Sequence, residues 1–146
     1  MAARHAAALA ALDARCFSDP WTPEGYEAEL SSGTACFFVA EQDGEVLGCA
    51  GMHCVCGECY VDRVFCSPDC RRRGVARSLM ERLDRWARER RAAFITLEVR
   101  ASNAPAAALY RSFGFEPAGI RRDFYSLPRE DAVLMTKTYP KTEDDN

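Results

Sequence analysis

The chain has 146 residues, of which 48% are hydrophobic and 28% charged. This composition is typical of a soluble globular protein with one core, so we expect a single domain over residues 1–139 and a disordered acidic tail over residues 140–146. The net charge of −3 argues against general nucleic-acid binding, and no apolar run approaches the roughly 20 residues that span a bilayer.

The beginning of the chain predicts a helix rather than an export signal. Its apolar run is short and mostly alanine, and Asp13 and Arg15 follow it directly. We expect a helix over residues 4–16 with Leu9 and Leu12 on its buried side. Without an export signal, the expected compartment is the cytoplasm.

The other elements are predicted from turn residues and apolar periodicity, and give the order α α β β β α β α β β. Helices are expected at 4–16, 23–31, after Gly74 and at 103–113, and strands at 35–41, 46–55, 60–66, 93–99, 115–122 and 132–138. The strand–helix–strand crossover over residues 60–99 implies one parallel pair in an otherwise antiparallel sheet. The sequence therefore predicts a mixed α/β or α+β fold.

Eight cysteines are expected to be free thiols, because a cytoplasmic protein is kept reduced. Cys54, Cys56 and Cys59 lie close together, and Cys66 and Cys70 follow. This spacing resembles that of a zinc site, but only six residues separate Cys59 from Cys66, fewer than in usual zinc modules. We therefore predict no metal; a structural metal or a disulfide is the less favoured alternative.

Residues 64–77, V-F-C-S-P-D-C-R-R-R-G-V-A-R, read as the end of a strand, a turn and the start of a long amphipathic helix. The first turn of a helix offers N–H groups to an anion, and Gly74 and Ala76 leave room for a close approach. Nine of the 17 arginines lie between Arg71 and Arg91, where they would add positive charge. Taken alone, the segment fits an anion site and a solvated basic turn equally well.

A second segment favours the anion site. Arg71-x-x-Gly74-x-Ala76 and residues 97–115, L-E-V-R-A-S-N-A-P-A-A-A-L-Y-R-S-F-G-F, closely resemble the GNAT acetyltransferases in order and spacing. Within that family they are most similar to the bacterial ribosomal-protein-alanine N-acetyltransferases. Two further segments look like the same subfamily: E-D-A-V-L-M at 130–135 and F-S-D-P-W-T at 17–22. The resemblance covers residues 16–137.

The resemblance implies a GNAT fold, with a mixed, mostly antiparallel sheet of six to seven strands, splayed at a central parallel pair and flanked by four helices. The usual first strand is expected to be short or absent, because Met1 leads almost directly into a helix. The implied donor is acetyl-CoA, with its pyrophosphate on the backbone N–H groups of the turn at 72–77. The cofactor-binding residues implied are Val64, Phe65, Cys66, Arg71, Arg72, Arg73, Gly74, Val75, Ala76, Arg77 and Asn103.

Acetyl transfer to an amine needs a base, a polarised thioester carbonyl and a proton for the departing thiolate. Glu98 is the candidate base, because it is a lone carboxylate in an apolar strand, and the alternative is a Glu paired with an ion such as Arg100. Tyr110 is the candidate acid, and the alternative is a core aromatic with a satisfied hydroxyl. The spacing of the two matches the family's base and acid. A backbone N–H near Cys66 is expected to polarise the carbonyl.

The acceptor implied by the resemblance is the α-amine of a protein N-terminus, most closely the N-terminal alanine of a small-subunit ribosomal protein. Trp21 and Tyr125 match positions that flank the peptide groove in related enzymes, while Phe124 stands where the family often carries a second Tyr. An acetyltransferase for lysines or small amines, and a non-catalytic module that binds CoA or metal, are the alternatives. Neither nucleic acid nor membrane is expected as a partner.

Overall fold

A computed structural model of the chain describes residues 1–71 and 73–141. The helices and strands follow the predicted order. The helices are α1 (Ala6–Cys16), α2 (Pro23–Leu30), α3 (Val75–Glu89) and α4 (Ala104–Ser112), with short 3-10 helices at Ala3–His5 and Pro68–Cys70. The strands are β1 (Ala35–Gln42), β2 (Glu45–Val55), β3 (Glu58–Cys66), β4 (Phe94–Arg100), β5 (Glu116–Ser126) and β6 (Arg129–Thr138).

In the described part of the chain, six strands form one sheet in the order β1-β2-β3-β4-β6-β5. The β1–β2, β4–β6 and β5–β6 pairs are antiparallel, whereas β3 and β4 run parallel. The parallel ladder is short and joins 58–60 to 94–96. The mixed sheet with one parallel pair is confirmed, and within residues 1–71 and 73–141 no strand precedes α1.

Residue contacts divide the chain into two compact units. The first unit comprises residues 1–53 and 62–85, and the second comprises 54–61 and, among the described residues, 86–141. β2, β3 and α3 contribute residues to both units. The single domain over residues 1–139 stays a prediction, and most of the expected acidic tail lies outside the described residues.

The core of the first unit joins α1 and α2 to one face of its strands. Leu9 and Leu12 are buried in it, as predicted from the helical pattern of α1. Tyr26 of α2 and Phe37 of β1 are packed in the same cluster. Helix α2 begins where the sequence indicates, because the Thr22 side chain accepts a hydrogen bond from the Gly25 N–H at 3.0 Å.

β4 has two chemically different faces in the second unit. Ile95, Leu97 and Val99 are buried, in alternation with side chains that are only half-buried. The half-buried positions include Glu98 and Arg100. Because successive strand residues point to opposite faces, the polar side chains share one surface of β4, and that surface carries the candidate base.

The expectation of eight free thiols is wrong at two positions, because Cys54 and Cys59 form a disulfide. Cys56 and Gly57 make the two-residue turn between β2 and β3 with φ values of 50° and 80°. This turn places Cys54 opposite Cys59, with their Cα atoms 4.1 Å apart. The other six cysteines are free, and no group of three potential metal ligands occurs among the described residues.

β5 is longer than predicted, and this changes the location of Tyr125. The predicted strand ended at residue 122, but the ladder with β6 resumes after an irregularity between Arg121 and Tyr125, where Asp123 has a φ of 53°. Tyr125 then pairs with Glu130. Its predicted location in a loop is therefore wrong, and Tyr125 lies near the end of a strand.

Candidate active site

Glu98 of β4 is held by two partners from neighbouring strands. Its side chain is only 5% exposed. The Tyr60 hydroxyl of β3 donates a hydrogen bond to Oε2, and the Arg121 Nε atom of β5 lies 3.2 Å from Oε1. Glu98 is thus an ion-paired carboxylate with a defined orientation.

Arg100, the partner considered from the sequence, is occupied elsewhere. Its guanidinium lies 3.4 Å from Glu130 Oε1 and 4.2 Å from the centre of the Tyr125 ring. It also donates hydrogen bonds to the carbonyl groups of Leu127 and Pro128 at 3.1 and 2.9 Å. Arg100 therefore ties the end of β4 to the β5–β6 turn.

Tyr110 of α4 is the second predicted catalytic residue. Its side chain is buried, with its ring centre 6.0 Å from that of Phe115. Burial, with a smaller contribution from Tyr125, raises the pKa of Tyr110 to about 12. The phenol therefore stays protonated at neutral pH, as a proton donor must, although the packing also suits a core aromatic.

The segment before α4 determines where Tyr110 stands. Asn103 caps the helix, because its Oδ1 accepts a hydrogen bond from the Ala106 N–H at 3.2 Å. Pro105 occupies the first turn, and Gly114 follows the helix with a φ of 92°. The helix lies within the predicted range of 103–113. A cofactor contact from Asn103 stays a prediction.

The basic segment enters α3 through a glycine turn. Gly74 has a φ of 79°, a conformation that side chains disfavour, and its carbonyl accepts a hydrogen bond from the Ser78 N–H at 3.0 Å. The first N–H groups of a helix point out of its positive end, towards a potential anion. Val75 and Ala76 are half-buried in this turn. This is a geometry that can bind an anion.

The arginines of the segment differ in their environments. Arg71, Arg73 and Arg77 are exposed, and Arg72 lies outside the described residues. Arg73 turns back towards β1, with one guanidinium nitrogen 3.4 Å from Gln42 Oε1. The exposed guanidinium groups leave positive charge on the surface around this turn.

At the end of β3, two of the three predicted cofactor-lining residues have half-buried side chains, and the third is buried. Phe65 is buried, with its ring edge-on to Phe17 at 5.7 Å, so its side chain faces the core. Val64 and Cys66 are half-buried. The Cys66 carbonyl accepts a hydrogen bond from Cys16 Sγ at 3.4 Å. The side chains expected to line a thioester are therefore those of Val64 and Cys66.

Trp21 lies in the loop between α1 and α2 and is half-buried. Its ring centre is 5.3 Å from that of Tyr26 and 6.0 Å from that of Phe37. Arg63 lies 5.1 Å from the Trp21 ring and donates a hydrogen bond to the Asp19 carbonyl at 2.8 Å. These contacts hold the loop in place. They fit both a Trp21 that contacts a peptide and a Trp21 that packs at the edge of the hydrophobic core.

Asp13 contacts both Tyr26 and Arg63, two neighbours of Trp21. It is fully buried, accepts a hydrogen bond from the Tyr26 hydroxyl and lies 3.4 Å from Arg63 Nε. Burial raises the pKa of Asp13 in spite of these two partners. The sequence analysis used Asp13 only as an argument against an export signal and missed its structural role.

The structure thus places the predicted residues in two groups. Glu98, Tyr110 and Tyr125 belong to the second unit, where Tyr125 lies near enough to affect the Tyr110 phenol. Trp21 and residues 64–77 belong to the first unit. Sequence reasoning missed two partners of Glu98, Tyr60 and Arg121; only the register of β3, β4 and β5 reveals them.

Comparisons with known proteins agree with the motifs. The profile of the Acetyltransferase (GNAT) family matches residues 6–115. The putative [ribosomal protein bS18]-alanine N-acetyltransferase of Bacillus subtilis is 33% identical over 128 residues, which cover 87% of this chain and 85% of the relative. The [ribosomal protein bS18]-alanine N-acetyltransferase of Escherichia coli K12 is 35% identical over 126 residues, covering 85% and 84%.

The fold comparison gives the same family. The crystal structure of the ribosomal-protein-S18-alanine N-acetyltransferase from Escherichia coli superposes with a TM-score of 0.90 at 30% identity, covering 100% of this chain and 95% of that one. Ard1 from Thermoplasma volcanium has a TM-score of 0.86 at 19% identity, a likeness of fold alone.

The chain therefore belongs to the GNAT family of acetyltransferases, as its motifs predicted. It is an acyltransferase, an acetyl-CoA-dependent N-acetyltransferase similar to the bacterial ribosomal-protein-alanine N-acetyltransferases. Among the described residues, no helix has the length and apolar character needed to cross a membrane.

Proposed function

We propose that this protein transfers the acetyl group of acetyl-CoA to the α-amine of a protein N-terminus, with the N-terminal alanine of a small-subunit ribosomal protein as the acceptor. Its relatives from Bacillus subtilis and Escherichia coli are named for that alanine. The observation that carries the proposal is a nearly buried carboxylate, Glu98, oriented by Tyr60 and Arg121. A ribosomal-protein acceptor assigns the reaction to the cytoplasm.

The donor is bound by residues of the first unit. The N–H groups at the start of α3, from Gly74 to Arg77, bind the pyrophosphate, and Arg71, Arg72 and Arg73 contribute positive charge. Val64, Phe65 and Cys66 line the pantetheine and the thioester, where a backbone N–H polarises the carbonyl. Asn103 of the second unit contributes a polar contact. The left-handed conformation of Gly74, directly before α3, supports this assignment.

Residues of the second unit move the protons. An α-ammonium group has a pKa of about 8 and must lose a proton before its nitrogen can attack. Glu98 accepts that proton, directly or through a water, and the amine nitrogen then forms a bond to the thioester carbon. As the carbon–sulfur bond breaks, Tyr110 donates its proton to the CoA sulfur, and the nitrogen releases its second proton, which returns to the Tyr110 oxygen through water; the products are the acetylated amine and CoA thiol. The transfer is direct, without an acetylated enzyme.

The acceptor peptide lies against Trp21 and Tyr125 in this proposal. Arg63 supports the first by fixing its loop, and Arg100 supports the second by stacking on its ring. Phe124 lacks the hydroxyl of a second Tyr, so one hydrogen bond to the peptide is absent. The peptide is therefore held by one phenol at this position.

A panel of synthetic peptides tests the proposal. CoA release is measured with a peptide that begins with alanine, with the same peptide blocked at its N-terminus, and with a blocked peptide that contains lysine. We expect CoA release only with the peptide that begins with a free alanine. Release with the blocked lysine peptide would instead show a lysine acetyltransferase, and acetyl-CoA binding without release would show a non-catalytic module.

A further inference from the structure

The two oxygens of Glu98 have different environments. Oε2 accepts a hydrogen bond from the Tyr60 hydroxyl. Oε1 is buried and accepts no hydrogen bond from the described residues, although Arg121 Nε lies only 3.2 Å away. The ion pair is therefore close but not aligned as a hydrogen bond, so Oε1 keeps its capacity to accept a proton.

Arg121 reaches Glu98 from the edge strand of the sheet. It pairs with Ala132 of β6, and Glu98 pairs with Leu134 of the same strand, so the ion pair spans β6. The Arg121 side chain is 54% exposed, and its guanidinium lies 5.8 Å from the centre of the Phe124 ring. The cation thus stands at the boundary between the buried carboxylate and solvent.

The groups that face Glu98 are few and chemically distinct. β3 contributes Tyr60, β5 contributes Arg121, and β6 contributes the apolar Leu134. Arg100 stands on the same face of β4 and is paired with Glu130. A guanidinium stays protonated throughout the physiological pH range, so Arg121 is a fixed positive charge beside the carboxylate.

Resting on the proposed function, we propose that Arg121 is a positioning residue for the general base: its guanidinium holds the Oε1 side of the Glu98 carboxylate in place, while Tyr60 fixes Oε2. A base must be held close to its productive geometry to accept a proton efficiently. Without Arg121, the carboxylate is held by Tyr60 alone and can turn away from that geometry.

The test is the separate measurement of kcat and KM for Arg121→Gln, with acetyl-CoA and a peptide beginning with alanine. We expect kcat to fall about three- to tenfold while both KM values stay within about twofold of those of the unmodified enzyme, since a misplaced base slows the transfer and leaves binding intact. Arg121→Lys keeps the charge and should recover part of the lost rate. Arg122→Gln, at the next position of β5, is the matched control and should leave both constants unchanged.

An unchanged kcat for Arg121→Gln would remove Arg121 from the mechanism, and a rise in KM alone would assign it to substrate binding instead. A loss of kcat together with a matching loss of unfolding free energy, absent in Arg122→Gln, would show that Arg121 has only a structural role. If the unmodified enzyme acetylates no peptide, the proposed function fails; if it acetylates the peptide but kcat is equal in Arg121→Gln and Arg122→Gln, this inference fails.

Discussion

At the scale of single residues, the candidate acid and base are both largely removed from water but are held differently. Glu98 has a hydrogen bond and an ion pair, which fix its orientation. Tyr110 is fixed by packing, and the burial that raises its pKa keeps the phenol protonated at neutral pH. The protonated phenol can donate a hydrogen bond to the sulfur as the thiolate departs.

Replacing Tyr110 by Phe tests this role because the change removes one oxygen and leaves the packing almost intact. We expect kcat to fall by about 10²-fold, the size of a typical general-acid contribution, while the Kd for acetyl-CoA stays nearly constant. Single-turnover rates and calorimetric titration measure the two quantities. Tyr139→Phe, in a tyrosine that follows β6, is the control. An unchanged rate would remove Tyr110 from the mechanism.

The residues of the site could be predicted only in part. Glu98, Tyr110 and Asn103 stand in one contiguous motif, so the resemblance to the family is enough to select them as candidates, and their roles stay predictions. Tyr60 lies 38 positions from Glu98, and no periodic pattern connects the two. Their contact depends on the parallel register that sets Tyr60 beside Thr96, which the sequence does not specify. Predictions from the sequence alone therefore missed the partners that orient the base.

At the scale of elements, Gly48 of β2 allows close contact with the end of β3. A Cβ atom at this position would lie 2.6 Å from the Phe65 carbonyl oxygen and 3.2 Å from Cys66 Cα. Both neighbours are backbone atoms and cannot rotate away. β2 thereby supports the residues that are expected to line the thioester.

Gly48→Ala should lower the free energy of unfolding by about 1–3 kcal/mol, because the added methyl group overpacks the backbone. It should also raise the KM for acetyl-CoA, since Phe65 and Cys66 must shift. Gly33→Ala is the matched control, as its Cβ would meet nothing within 4 Å, and its effect should stay within about 0.5 kcal/mol. Equal urea-unfolding curves for the two variants would contradict this interpretation.

A histidine joins α2 to two strands. His53 Nε2 of β2 lies 2.7 Å from Glu29 Oε2 of α2, and Nδ1 lies 2.5 Å from Asp62 Oδ2 of β3. Burial opposes the charged imidazole, but the hydrogen bond to Asp62 and the two carboxylate charges outweigh it and raise the pKa of His53. Burial also raises the pKa of Asp62.

This cluster predicts the sign of one pH dependence. Because the pKa of His53 is higher in the folded protein, its protonation stabilises the fold. This contribution is fully present below the ordinary histidine pKa of about 6.5 and is lost as the pH rises through the raised pKa of the folded state. In Glu29→Gln, the free energy of unfolding measured with urea should therefore fall less between about pH 6 and about pH 9 than in the unmodified protein. Glu24→Gln, in the first turn of α2, should retain the slope, and identical slopes would contradict the assignment.

Elements with a strong apolar periodicity were predicted well, whereas features that depend on tertiary contacts were not. α3 has apolar residues at helical spacing and a glycine before its first turn, so both its face and its start follow from the sequence. The end of β5, R-R-D-F-Y-S, is polar and lacks the alternation of apolar and polar residues that is typical of a strand. It is a strand only because β6 continues to pair with it as far as Ser126. The Cys54–Cys59 bond was missed since it follows from the turn at Cys56 and Gly57.

At the scale of the whole molecule, the fold and the motifs identify an N-acetyltransferase, and the choice of acceptor is the central claim. Two compact units carry different tasks in our proposal: the first binds the donor, and the second moves protons. Relatives at 33% and 35% identity share the acetyltransferase family and carry the name [ribosomal protein bS18]-alanine N-acetyltransferase. A lysine acetyltransferase could use the same donor site, so only the acceptor atom separates the two activities.

The most direct test is to locate the acetyl group on a peptide that offers both amines. The peptide begins with a free alanine and carries an internal lysine; it is incubated with acetyl-CoA and the full chain, and the product is sequenced by tandem mass spectrometry. We predict that the acetyl group is found on the alanine α-nitrogen alone and that Glu98→Gln slows its appearance by about 10²-fold. An acetyl group on the lysine side chain, or an equal rate for Glu98→Gln, would contradict the proposal.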